Sequence, residues 1–366
     1  MDNLFNNIYK GKKVLITGHT GFKGSWLALW LTKLGAEVIG YSIDIPSEPN
    51  HFELLNLKMT SVKGDVLDKN KLFEIIKEHN PEIIFHMAAQ ALVRRSYTIP
   101  AETFETNILG TINILESCRK LKTVKVIVNI TSDKCYENKE DGKPYTEGDP
   151  MGGNDPYSAS KGAAEIVSNS YRKSFFSLDE YGKTHTTLLA NVRAGNVIGG
   201  GDWAQDRLIP DIIKSTVAGN GSVIRNPDSV RPWQHVLEPI SGYLSLGAKL
   251  LNGEKEYADN WNFGPKEESI LSVKKIIEHA QKYWGAIKID LKTNADNLHE
   301  ANILKLDSSK ARSLLKWQSV WEYEDTISKT INWYKSYYEN NIVLSEKDLK
   351  DYIENAKRLN IDWTKI

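Results

Sequence analysis

Residues 131–136 read TSDKCY, which places a hydroxyl (Ser132), a carboxyl (Asp133) and an amine (Lys134) side by side at the end of the apolar run VKVIVNI. Further on, DPYSASKGAAE sets Tyr157 and Lys161 four residues apart. Asp155 is a good helix N-cap and Pro156 suits the first helical position, so Tyr157 and Lys161 fall on one face of a single helix. A tyrosine titrates near pH 10 and is inert at neutrality, but a neighbouring cation favours the phenolate and turns it into a proton acceptor. Beside it, a hydroxyl can bond the oxygen being deprotonated, while a carboxyl and an amine offer a further acid and base. Strict strand alternation would put Ser132 and Lys134 on one face and Asp133 on the other. All three reach one substrate only if the chain leaves strand geometry at this point; otherwise Lys134 is a surface lysine opening the polar loop KCYENKEDGK.

The elements that must position these groups follow a repeating pattern. Strand-like runs KVLIT, EVIGYSI, EIIFHM, VKVIVNI and TTLLAN alternate with helical patterns at 21–34, 68–79, 101–121 and 156–176. Such βαβ repetition forces a parallel sheet covered on both faces, and predicts an α/β fold with a Rossmann-type doubly wound sheet. After about residue 192 the pattern changes to Gly-rich loops, short strands and amphipathic helices, among them SILSVKKIIEHAQKYW, which marks a smaller C-terminal α/β lobe. Lys+Arg 47 balance Asp+Glu 47, so no overall field draws the chain to nucleic acid or to an anionic membrane. No apolar run approaches the roughly 20 residues of a membrane span, and the N-terminal MDNLFNNIYKGKK lacks the apolar core of a secretory signal; the expectation is a cytoplasmic protein. Cys118 and Cys135 form no metal-type cluster, so no metal is expected.

The first strand runs into VLITGHTGFKGSWLALWLTKLG, with Gly18, Gly21 and Gly24 enclosing Thr20 and Phe22. Glycines after a strand and before a helix allow the tight turn and the approach of backbone N–H groups to a pyrophosphate. Asp44, at the end of the second strand, suits ribose hydroxyls and repels a 2′-phosphate, which favours NAD over NADP. Asp65 and Val66 are candidates for the adenine pocket. Ala88, Ala89 and Gln90 close the strand HMAAQ with residues small enough for a cofactor to pass, while His86 reads as a satisfied core histidine. A bound oxidised nicotinamide would add a second cation favouring the Tyr157 phenolate.

Glycines upstream, YxxxK downstream and a hydroxyl between them resemble the short-chain dehydrogenase/reductase superfamily. TGHTGFKG, HMAAQ and NILGT (Asn107 to Thr111) look like its extended branch, which acts on nucleotide sugars. RAGNVIGGGDWAQDRLIPD (193–211), RPWQHVLEPISGYL (231–244) and TSDKCYEN are similar to segments of the CDP-glucose 4,6-dehydratases. The resemblance implies a lyase that binds NAD tightly and acts on CDP-glucose, with residues 1–192 as the NAD-binding domain and 193–366 mainly as the nucleotide-sugar lobe, some segments returning to the first domain. Asn107, Tyr157 and Lys161 join the cofactor set. Tyr157 and Ser132 would serve oxidation at C4, and Asp133 would protonate the C6 hydroxyl as water leaves across C5 and C6. Where the dTDP-glucose dehydratases carry Glu, this chain has Lys134, either the C5 base or a cation steadying the enolate. Arg231, helped by Arg207, suits the diphosphate because guanidinium forks match phosphate oxygens. Asn196 suits a phosphate or the sugar, Arg94 is a further site candidate, and Trp203 or Trp233 could stack on cytosine or simply pack. The resemblance further implies a homodimer or dimer of dimers through helices 101–121 and 156–176, and a place in 6-deoxy- and 3,6-dideoxyhexose synthesis for bacterial surface polysaccharide (lipopolysaccharide O-antigen). The rivals are a nucleotide-sugar epimerase or reductase using only Ser132, Tyr157 and Lys161, and a non-catalytic nucleotide-binding regulator.

Overall fold

Apolar runs of four to seven residues flanked by amphipathic helices bury best as parallel strands between two helical layers. The computed structural model, which describes residues 3–224, 226–291 and 304–365, has this arrangement. Its main sheet is built from β1 (Lys13–Thr17), β2 (Glu37–Ser42), β3 (Thr60–Lys63), β4 (Ile83–His86), β5 (Val126–Ile130), β6 (Leu188–Ala194) and β7 (Asn260–Phe263). All are parallel, in the order β7-β6-β5-β4-β1-β2-β3. The winding reverses between β1 and β4, and the carboxyl ends of the strands there form the crevice in which doubly wound sheets bind ligands.

One face of the sheet packs on α1 (Phe22–Lys33) and α6 (Leu237–Leu251), with Ile16, Phe85, Val128 and Val192 buried against Trp26, Trp30 and Tyr243. The other packs on α2 (Lys69–His79), α3 (Gly110–Leu121) and α4 (Pro156–Ser174), where Leu15, Ile84, Ile127 and Leu189 meet Leu72, Ile76, Ile114 and Cys118. A second core joins α5 (Leu208–Val217), the helix Val273–Tyr283 and α7 (Tyr323–Asn340) through Ile212, Ile213, Ile276, Ile331 and Trp333. The C-terminal α8 (Ser345–Arg358) lies against α1.

Three sequence expectations are adjusted. The helix expected at 101–121 is Pro100–Phe104, a π-turn over Glu105–Leu109, and then α3. The wide turn carries Asn107 inward, where its amide bonds the backbone of Gln90 in both directions and the Ser160 hydroxyl. The start of SILSVKKIIEHAQKYW is not helical: Ile270–Ser272 pairs antiparallel with Val230–Pro232, and Ser272 then caps the helix beginning at Val273. TTLLAN predicts a strand ending at Asn191, but β6 runs on to Ala194 because Val192, Arg193 and Ala194 pair with Trp261, Asn262 and Phe263 of β7. Among the described residues, no helix is long and apolar enough to cross a membrane.

Candidate active site

β5 ends at Ile130, and the chain then leaves strand geometry as the sequence argument requires. Asp133–Cys135 forms one 3-10 turn capped by Ser132, whose Oγ accepts from the Lys134 backbone N–H at 3.2 Å. The turn brings Ser132, Asp133 and Lys134 to a single cavity of about 610 Å³, with Tyr157 also in its lining. The phenol arrives in the first turn of α4. Asp155 caps that helix by accepting from the Ser158 N–H at 2.9 Å, and the Tyr157 N–H donates to Ser96 Oγ at 3.2 Å. Ser132 is within hydrogen-bonding reach of the phenol and donates to Asp133 Oδ1 at 3.0 Å, so Tyr157, Ser132 and Asp133 form a continuous polar chain.

Electrostatics differ from the sequence expectation in one respect. The Lys161 ammonium turns to the Ile130 carbonyl, at 3.3 Å, behind the end of β5. Burial pushes Tyr157 up to about 12; the Ser132 hydrogen bond and the Arg207 guanidinium act in the opposite direction. Burial also raises the Asp133 carboxyl above the usual carboxylate range, opposed by Lys134, Ser132 and Lys23. A buried carboxyl of this kind holds a proton more readily, which suits an acid. Lys161 is lowered to about 8 by burial, with Glu165 opposing.

The other expected substrate residues divide. Arg94, Asn196, Arg207, Arg231 and Trp233 all line the cavity. Arg207 leads into α5, bonds Asp202 at 2.9 Å, and acts on Tyr157 and Lys23, so it stands at the catalytic end. Arg231 lies in the Val230–Pro232 strand, and its Nη1 donates to the Val230 carbonyl at 3.1 Å. Trp203 is packed among Trp333, Tyr334 and Tyr337 and donates to the Tyr338 hydroxyl, so it is a core residue and not a stacking platform.

Most of the expected cofactor residues follow the carboxyl ends of β1, β2, β3 and β4, while Asn107 lies in the π-turn and Tyr157 and Lys161 on α4. Gly21 caps α1 with no side-chain hydrogen bond, which leaves the positive end of the helix facing the crevice. Gly18 has φ +76°, and a Cβ there would come within 2.8 Å of the Ala88 nitrogen; a Cβ on Gly24 would run into the Gly18 carbonyl oxygen. Thr20 donates to the Asp44 carbonyl at 2.7 Å, and Phe22 begins α1 against Gly199. Asp65 accepts from the Leu67 N–H at 2.9 Å, and Val66 packs under Gly110. Ala88, Ala89 and Gln90 follow β4, with Gln90 held by Asn107. His86 is buried between Thr17 and Thr111, a core histidine. An uncapped helix N-terminus at the winding reversal, with small residues beside it and a carboxylate at the end of β2, fits a dinucleotide.

The structure adds residues that sequence reasoning passed over. Lys23, in the first turn of α1, lines the cavity with Asp133 and is lowered to about 8 by burial, Arg207 and Lys161, with Asp133 opposing. It sits inside a motif read for its glycines, Thr20 and Phe22 as a cofactor loop. Lys63, at the end of β3, pairs with Asp44 at 3.4 Å. Glu165 and Arg193 form a wholly buried ion pair at 2.8 Å behind the turn. Glu165 stands four residues after Lys161 within the stretch DPYSASKGAAE, a spacing that could have drawn attention to it.

A family model described as GDP-mannose 4,6 dehydratase matches residues 15–330. A CDP-glucose 4,6-dehydratase of Salmonella typhimurium is 48% identical over 356 residues, covering 96% of this chain and 99% of its own. A UDP-glucose 4-epimerase of Mycolicibacterium smegmatis is 26% identical over 330 residues, 88% of this chain and 99% of its own. Among solved structures, a dTDP-glucose 4,6-dehydratase from Streptomyces venezuelae with NAD and TYD bound superposes with a TM-score of 0.76 at 22% identity, covering 90% of this chain and 98% of that one.

Proposed function

The chain belongs to the family described as GDP-mannose 4,6 dehydratase, and from that premise we propose that it is an NAD-dependent lyase converting CDP-glucose to CDP-4-keto-6-deoxyglucose. The observation that carries the reading is the 3-10 turn, which sets a buried carboxyl and an amine at the same cavity as the phenol and hydroxyl. An epimerase or reductase needs only the last two with Lys161. The relative at 48% identity is named for this substrate.

When bound, NAD supplies a hydride acceptor for C4, returns that hydride to C6, and adds a positive charge favouring the phenolate. Tyr157 Oη takes the proton of the C4 hydroxyl while Ser132 Oγ bonds the same oxygen, leaving a 4-ketone. The ketone acidifies the C5 hydrogen. Asp133 gives its proton to the C6 hydroxyl, which departs as water as an amine takes the C5 proton; C5 is reprotonated when C6 is reduced, and water is the sole by-product. Among the described residues, two amines face this cavity, Lys134 in the turn and Lys23 from α1. Arg231 binds the diphosphate, Asn196 and Arg94 bind the sugar and its phosphate, and Arg207 acts at the catalytic end. Gly18, Thr20, Gly21, Phe22, Gly24, Asp44, Asp65, Val66, Ala88, Ala89, Gln90, Asn107, Tyr157 and Lys161 form the cofactor site.

The same proposal divides the chain into a cofactor domain (1–192) and a lobe mainly for the nucleotide sugar (193–366), with the end of β6, α6 and β7 returning to the first domain, and places the enzyme in the cytoplasm, feeding deoxyhexose synthesis for surface polysaccharide. It is a homodimer, or a dimer of dimers, through residues 101–121 and 156–176, supported by Leu109 and Ile166, exposed at 47% and 60%. The test is incubation with CDP-glucose in competition with dTDP-, GDP- and UDP-sugars. The expected product is an alkali-visible 4-keto-6-deoxy sugar from CDP-glucose with no net cofactor reduction. An isomer that keeps its water would establish an epimerase instead, and preferred turnover of another nucleotide would overturn the substrate assignment.

A further inference from the structure

Glu165 on α4 and Arg193 on β6 take no part in the reaction just described, yet both are fully buried directly behind it. The guanidinium forks onto the carboxylate, Nε to Oε1 at 2.8 Å and Nη2 to Oε2 at 2.9 Å. Each member also holds one end of the catalytic turn. Thr131 Oγ1 donates to Glu165 Oε1 at 2.5 Å. Arg193 Nη1 donates to Tyr136 Oη at 2.5 Å, and the guanidinium lies 4.8 Å over the Tyr136 ring. Between Thr131 and Tyr136 lie Ser132, Asp133 and Lys134. On α4, Glu165 is one helical turn beyond Lys161 and two beyond Tyr157. One ion pair thus joins both ends of the turn that carries the carboxyl and amine to the helix that carries the phenol.

Stability gives a weak account of such a pair. Taking two charges out of water is costly, and apolar replacement of a buried pair is often neutral or stabilising. What the pair supplies is fixed geometry, since the planar fork admits one arrangement of its partners. Ser132 lies within hydrogen-bonding reach of Tyr157; Asp133 and Lys134 depend on the conformation of the turn.

We propose that Glu165 and Arg193 are positioning residues for the elimination step, clamping residues 131–136 to α4 so that Asp133 and Lys134 address the sugar that Tyr157 oxidises. The proposal rests on the dehydratase reading. The parent enzyme is therefore assayed first with CDP-glucose, and an absence of dehydration there defeats that reading and not the clamp.

The decisive variant replaces both members, Glu165→Met with Arg193→Met, which leaves the net charge of the protein unchanged; because Glu165 also raises the Lys161 ammonium, oxidation is compared with the parent across the pH profile. It should bind CDP-glucose by calorimetry and melt like the parent. Single-turnover oxidation at C4 should fall less than about threefold while water loss falls about 30- to 100-fold, the scale of a 1 Å misplacement. Reduced nicotinamide and 4-keto-glucose then accumulate. Proportional loss of both steps, or loss of neither, overturns the proposal. Should the pair not fold without its charges, Thr131→Val and Tyr136→Phe each cut one tether; each should slow elimination selectively, with Thr131→Ser restoring the first, and an unchanged ratio of the two rates overturns the proposal equally.

Discussion

A tyrosine pushed up to about 12 by burial and a carboxyl raised by the same cause assign opposite duties to two residues joined through one serine. The phenol must be helped to lose its proton, and the carboxyl is helped to keep one. Tyr157→Phe should therefore abolish even the first hydride transfer, lowering reduced-nicotinamide formation by about 10³-fold or more; retained oxidation would refute the role. The two amines are separable by exchange. Whichever of Lys134→Ala and Lys23→Met still oxidises C4 but no longer exchanges deuterium at C5 has lost the base, and the expected effect on dehydration is about 10²- to 10⁴-fold. A variant that dehydrates at the parent rate clears its residue of that duty. The placement of Tyr157 and Lys161 on one helix was legible in the sequence because it is local, four positions apart, whereas the aim of the ammonium at the Ile130 carbonyl was not. Lys23 was not, since nothing in a glycine motif says where a side chain between the glycines points. Lys63 escaped because it reaches Asp44 from another strand.

Elements were legible where apolar periodicity was long and failed where a tertiary bond overrode it. ETNIL reads as continuous helix, and only the capture of the Asn107 amide by Gln90 and Ser160 opens it into a π-turn. Likewise β6 extends through Arg193 and Ala194 because β7 pairs with them, a strand about 70 residues later that sequence cannot bring alongside. The turn into α1 gives the element-scale prediction. Gly24→Ala sets a Cβ against the Gly18 carbonyl, which is backbone and has little room to retreat. The substitution should cost on the order of 1–3 kcal/mol and weaken NAD binding measured by fluorescence titration. A variant that binds NAD as the parent does would show that the turn tolerates the shift.

Across the whole molecule, Glu238 on α6 ties the C-terminal part of the chain to the sheet. Its carboxylate accepts from the backbone of Val320 at 3.0 Å and Trp321 at 2.7 Å, and from the Tyr352 hydroxyl at 2.8 Å. Burial raises it from 4.5 to about 7 against those hydrogen bonds. The folded state therefore binds this proton more tightly than the unfolded chain, and the contribution is complete below pH 4.5 and lost as pH rises through about 7. At its steepest the loss is about 1.4 kcal/mol per pH unit. Denaturation of Glu238→Gln across that window should show this component of the slope removed; an identical slope in parent and variant would mean the carboxyl does not titrate there. The edge strand carries a different lesson. β7 comes from residues 260–263 yet completes the sheet beside β6, and α6 covers the face beneath. A chimera cut after residue 192 to exchange sugar specificity would leave behind a bare strand edge and an uncovered apolar face, an invitation to aggregate. A transplant that succeeds must leave 237–263 with its host and move only the segments around it.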